Sequence, residues 1–165
     1  MKVTRLLFVS LFFVLGTISF GQIARDDSLS IPTILFVCEH GAARSTIASV
    51  YFNRIAEEKK LSFRSVFRGT DPETTITLGT KKGLSDDGFD TENLKPQAVS
   101  QLDIEQATRI ITFDCILPNR DSLTRPVYRW DGIPPISKNY GVARNEIVRR
   151  IHELIKNLAS DSKKK

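Results

Sequence analysis

Ile34, Leu35, Phe36 and Val37 form an unbroken apolar run, and from Ser45 onward Ile47, Val50, Tyr51 and Ile55 recur at helical spacing. The run reads as a central strand buried on both faces, as in a parallel sheet. Between strand and helix lies Cys38-Glu39-His40-Gly41-Ala42-Ala43-Arg44-Ser45. The loop therefore joins the C-terminal end of a strand to the N-terminus of a helix, and ligands of open α/β sheets bind at that edge.

The loop's composition suits an oxyanion. Gly41, Ala42 and Ala43 are small enough to let successive N–H groups turn inward as a nest, with the helix N-terminus adding partial positive charge. Arg44 can grip two oxygens of a tetrahedral anion at once. The same field favours the thiolate of Cys38, and Ser45 can hydrogen-bond the sulfur when it leaves. The alternative is a buried structural cysteine beside an unrelated arginine. The spacing Cys-x5-Arg is weak alone; the strand before it and the hydroxyl and helix after it make it specific.

Along the rest of the chain, Phe63–Arg68 alternates as a second strand, and Thr75–Leu84 reads as a short helix ended by Gly83 and Asp87-Gly88. Ser100 caps a helical turn through Ala107. Arg109–Phe113 is a third strand and Asp114–Thr124 a loop. Pro126–Trp130 is a fourth strand, Gly132–Tyr140 a Pro/Gly-rich loop, and Val142–Leu158 a last amphipathic helix. Strands alternating with helices predict an α/β fold: a four-stranded parallel sheet in a three-layer αβα arrangement, flavodoxin-like in type. No second domain or repeat is visible.

Residues 1–21 carry Lys2 and Arg5, then an apolar stretch from Leu6 to Leu15, then Ser19-Phe20-Gly21. This pattern predicts a signal peptide cleaved before Gln22, and hence export to a periplasm or the medium. A retained anchor is the alternative, but the apolar run is shorter than the roughly 20 residues that span a bilayer. Residues 22–32 read as a linker, 33–160 as one domain and 161–165 as a basic tail. Loss of the leader removes two basic and no acidic residues from a net charge of +5. The remaining excess is mild; it does not argue for nucleic acid, and it helps attract phosphorylated molecules.

These residues together resemble the low-molecular-weight protein tyrosine phosphatase superfamily, which includes the thioredoxin-coupled arsenate reductases. The resemblance runs from about Thr33 to Leu158. It rests on Cys38–Ser45, Arg68-Gly69-Thr70, Gly83-Leu84 with Lys95-Pro96, Ala107 to Asp114, and Trp130 with its proline-rich sequel. It implies the low-molecular-weight phosphatase fold, a nucleophilic Cys38, a phosphate-binding Arg44, a sulfur-stabilising Ser45, and neither metal nor cofactor. It also implies an aspartic general acid in a late Asp-Pro loop. Here the chain departs, with Pro134-Pro135 at that place, and Asp131 is the nearest acid. The asparagine that often follows the loop glycine is replaced by Ala42.

The loop backbone from Glu39 through Ser45 is the expected phosphate cradle. Glu39 should point outward, since a carboxylate aimed inward would repel the anion. His40 either touches phosphate or tunes Cys38, or else turns away and offers only its N–H. Asp114 either hydrogen-bonds loop backbone and orients a water, or simply starts a turn. Trp130 and Tyr140 either flank a slot for an aromatic ring or pack into the core. The resemblance puts Cys115 on the active-site edge, where a reversible bridge to Cys38 is geometrically possible.

The first expectation is a phosphomonoesterase working through phosphocysteine on aryl phosphates, with Asp131 as acid and then base. The second is an arsenate reductase using Cys38 with Cys115 or an external thiol. The third is a binder of phosphate or of a phosphorylated protein without turnover.

Overall fold

The computed structural model describes residues 31–118 and 125–162. The expected leader, nearly all of the linker, and the last three residues of the tail lie outside the described residues. The elements in order are β1 (Thr33–Cys38), α1 (Arg44–Glu58), β2 (Arg64–Gly69), α2 (Leu78–Asp86), α3 (Gln101–Gln106), β3 (Ala107–Phe113), β4 (Val127–Arg129) and α4 (Tyr140–Ser162).

The four strands form one parallel sheet in the order β2-β1-β3-β4. β1 is central and Ile34 to Val37 are fully buried. Its side chains alternate between two cores, as the period of a strand dictates. Ile34, Phe36 and Cys38 face the larger core, with residues of α1, α2 and α4. Leu35 and Val37 face the smaller one, with Ile104 of α3 and Leu117. The expected three-layer α/β architecture is therefore the observed one.

Local chemistry moves several boundaries. α1 stops at Glu58, short of the expected Lys60, because Lys60 takes a left-handed φ of 53°. Lys60 N then donates to the Glu57 carbonyl and Leu61 N to that of Ala56, closing the helix end. α2 starts at Leu78 instead of Thr75, because the Thr77 hydroxyl caps Thr80 N, and it runs on to Asp86. α3 starts as expected behind Ser100, in a capping box with Asp103. α4 begins two residues early, because the Asn139 side chain accepts from Val142 N at 3.0 Å. It also runs past Leu158 to Ser162, so the expected tail begins inside the helix.

Candidate active site

The strand alternation that places Phe36 in the larger core places Cys38 there too, at the strand's last residue and 5 % exposed. Its sulfur lies 3.0 Å from Ser45 Oγ, and Gly41 N donates to it at 3.2 Å. Ser45 is fully buried in the first turn of α1.

The orientation of the loop follows from its carbonyls. Those of Cys38, Glu39, His40 and Ala42 accept from the N–H groups of Thr70, Asp71, Glu73 and Thr77, at 2.8 to 3.1 Å. The Gly41 carbonyl accepts from Thr46 Oγ1 at 2.8 Å. All peptides here are trans, so each N–H points opposite to the preceding residue's carbonyl, with which it shares a peptide plane. The N–H groups of Glu39, His40, Gly41 and Ala43 are thereby turned away from segment 70–77 and into the loop. With the N-terminus of α1 behind them, they form a nest that favours negative charge.

Two glycines permit this. Gly41 has φ +61°, and a Cβ there would sit 2.9 Å from Gly69 N. A Cβ on Gly69 would sit 2.8 Å from the His40 carbonyl carbon. Gly69, Thr46 and segment 70–77 are site-building parts that the sequence reading did not assign. The signal was present for Gly69, in Arg68-Gly69-Thr70 at the end of β2, where the ladder sets it beside Cys38.

The other expected residues fall as follows. Glu39 is exposed and His40 is half-turned outward, with Nδ1 3.2 Å from the Asp71 carbonyl oxygen. Arg44 is the first residue of α1 and pairs through Nη1 with the Asp114 carboxylate. Asp114 directly follows β3, with φ +46°. Its N–H donates to Asp131 Oδ1 at 3.1 Å, and its own Oδ1 accepts from Gly132 N at 3.2 Å. Asp131 Oδ2 accepts from Arg129 Nε at 2.7 Å. That guanidinium, more than the Asp114 N–H, holds the Asp131 carboxyl below the usual carboxylate range.

Trp130 packs with ring centroids 5.7 Å from both Phe36 and Phe113. Tyr140 donates its hydroxyl to Asp87 at 2.6 Å, over Gly83. Trp130 and Tyr140 thus belong to the packing around the larger core. Cys115 is a free thiol, as is Cys38, and lies against the Val37 carbonyl oxygen at 3.4 Å. Burial pushes the Cys115 thiol up to about 11. No group of three or more His, Cys, Asp or Glu that could hold a metal occurs among the described residues.

A nest of inward N–H groups around a buried thiol, at the C-terminal edge of a parallel sheet, is suited to a tetrahedral oxyanion. The low molecular weight phosphotyrosine protein phosphatase family matches residues 33–119, more than half the chain. The protein belongs to that family. The match spans Cys38 to Ser45 and ends before Asp131.

Solved structures share the fold. An arsenate reductase from Archaeoglobus fulgidus is 27% identical at a TM-score of 0.63, over 74% of this chain and 98% of its own. A thioredoxin-dependent arsenate reductase from Corynebacterium glutamicum is 24% identical at 0.64, over 81% of this chain. This chain spans 65% of that protein's length. A low molecular weight phosphotyrosine phosphatase from Vibrio cholerae O395 is 18% identical at 0.64, over 79% of this chain and 98% of its own. No curated protein sequence matches. The family and the shared fold support a cysteine-dependent enzyme of phosphatase or reductase type.

Proposed function

We propose that this family member is a phosphomonoesterase acting on aryl phosphates, phosphotyrosine among them. The observation that carries this choice over reduction is the state of Cys115. Its Sγ is partly buried and donates to the Val37 carbonyl oxygen at 3.4 Å, and burial disfavours the thiolate that would have to attack. The chain has no third cysteine. Water is then the better agent to resolve an intermediate on Cys38.

Cys38 attacks phosphorus in line, and the bond to the aryl oxygen breaks with its electron pair. Arg44 and the nest hold the equatorial oxygens. Asp131 gives a proton to the leaving oxygen and then takes one from the attacking water. Sulfur leaves as thiolate, stabilised by the Ser45 hydroxyl and the Gly41 N–H. A carboxyl held low by Arg129 seldom carries the proton it must give near neutral pH. It serves phenols, which need little protonation at a pKa near 10, far better than it serves alkoxides. The leader reading of residues 1–21 puts this chemistry outside the cytoplasm.

A second reading is arsenate reduction. It is favoured by Pro134-Pro135 where the family carries its acid, and by Cys115 lying beside the end of β1.

The deciding experiment is hydrolysis of an aryl phosphate by reduced protein, beside Cys38→Ser. Turnover that disappears in the variant is expected. Oxyanion binding without turnover, and arsenate consumption with an added thiol, would replace this reading with the second.

A further inference from the structure

Asp114 touches both halves of the site. Oδ2 pairs with Arg44 of the loop, and Oδ1 accepts from Gly132 N of the turn that carries Asp131. Its backbone N–H donates to Asp131 Oδ1. The pair with Arg44 uses Nη1, which leaves the Nε–Nη2 edge whole. That edge is the side-on fork that meets two oxygens of a tetrahedral anion. Asp114 is not a glycine, yet its φ is +46°. Such a backbone persists where the surroundings over-determine it, and three hydrogen bonds converge here.

We propose that Asp114 is a positioning residue: its carboxylate aims the Arg44 guanidinium and clasps it to the Asp131–Gly132 turn, so that anion grip and acid turn move as one unit. The proposal rests on reading Arg44 as the oxyanion grip. The pair is kept when the anion enters. An untethered arginine at this place would have to lose side-chain freedom on each binding event. Here the fold has already met that entropic loss.

Asp114→Asn tests it. Asparagine also tolerates a left-handed φ and keeps an acceptor for Gly132 N, so the backbone is preserved. Two readouts need no turnover, and they are therefore independent of whether the enzyme is a phosphatase. Affinity for inorganic phosphate, measured by calorimetry, should fall about tenfold. Alkylation of Cys38, followed on its own peptide, should slow several-fold with anionic iodoacetate and stay constant with neutral iodoacetamide. In an Arg44→Lys background, which has no fork to aim, the same substitution should add nothing. Unchanged phosphate affinity and an unchanged iodoacetate-to-iodoacetamide ratio would overturn the proposal. Tighter phosphate binding would overturn it too, since Asp114 would then be a competitor for Arg44.

Discussion

Gly41 and Gly69 meet backbone to backbone, so that a Cβ on either would come within 3 Å of the other's segment. This contact brings the end of β2 against the loop and lets segment 70–77 take the loop's carbonyls. The anion nest is thus held from outside by a neighbouring strand exit.

Gly69→Ala should damage both fold and site. The methyl group meets backbone at under 3 Å, which cannot yield as a side chain would. A loss of about 1–3 kcal/mol in denaturant unfolding is expected. Phosphate affinity should fall with it. A variant as stable and as tightly binding as the parent would contradict the packing described here.

Ser45→Ala should slow the second chemical step more than the first. The hydroxyl stands 3.0 Å from the sulfur, and under the proposed phosphatase mechanism it would support the departing thiolate. A phosphoenzyme that accumulates in rapid-quench experiments is expected, with kcat down about 10–100-fold. A proportional loss in both steps would mean that the hydroxyl shapes the loop instead.

Arg129→Ala should change leaving-group preference. Arg129 is the main cause of the low Asp131 carboxyl. Without it the group rises toward its ordinary value and carries a proton to donate more often. The ratio of aryl to alkyl phosphate turnover should narrow. A constant ratio would remove Asp131 from proton transfer.

Stability should fall in acid through Asp87. Burial alone would raise this carboxyl, but the hydroxyls of Tyr140 and Tyr51 and the charges of Arg144 and Arg54 outweigh it and hold it low. A group lowered on folding contributes stability above its unfolded value, near 3.9, and loses it as pH falls through its folded value. Melting temperature should therefore drop below about pH 4. Asp87→Asn should flatten that drop and lower stability at neutral pH. An unaltered acid slope in the variant would assign the loss to other carboxylates.

If residues 1–21 are a leader, N-terminal sequencing of the exported protein should begin at Gln22. An intact Met1 on mature protein would make the segment an anchor.

The linear chain by itself determined the strand, the loop and the helix that follows. Apolar runs, small residues and a hydroxyl at a helix start act over a few residues, and local rules read them. It also determined the order of elements, since a parallel sheet follows from strands alternating with helices. Capping moved the ends, because Thr77 and Asn139 compete locally for backbone groups in ways that periodicity does not register.

Only the tertiary structure decided what faces what. Trp130 reads equally well from sequence as slot or core, and packing against Phe36 and Phe113 chose the core. Asp114 reads from sequence either as a group that bonds loop backbone and orients a water or as the start of a turn, and only β3 beside β1 brings it to the Arg44 side chain, seventy positions earlier. Gly69 reads from sequence as a turn residue just past the second strand until the ladder sets it beside Cys38. These relations join residues far apart along the chain. They exist only once parallel pairing has closed the long crossovers between them, and no local pattern records that pairing.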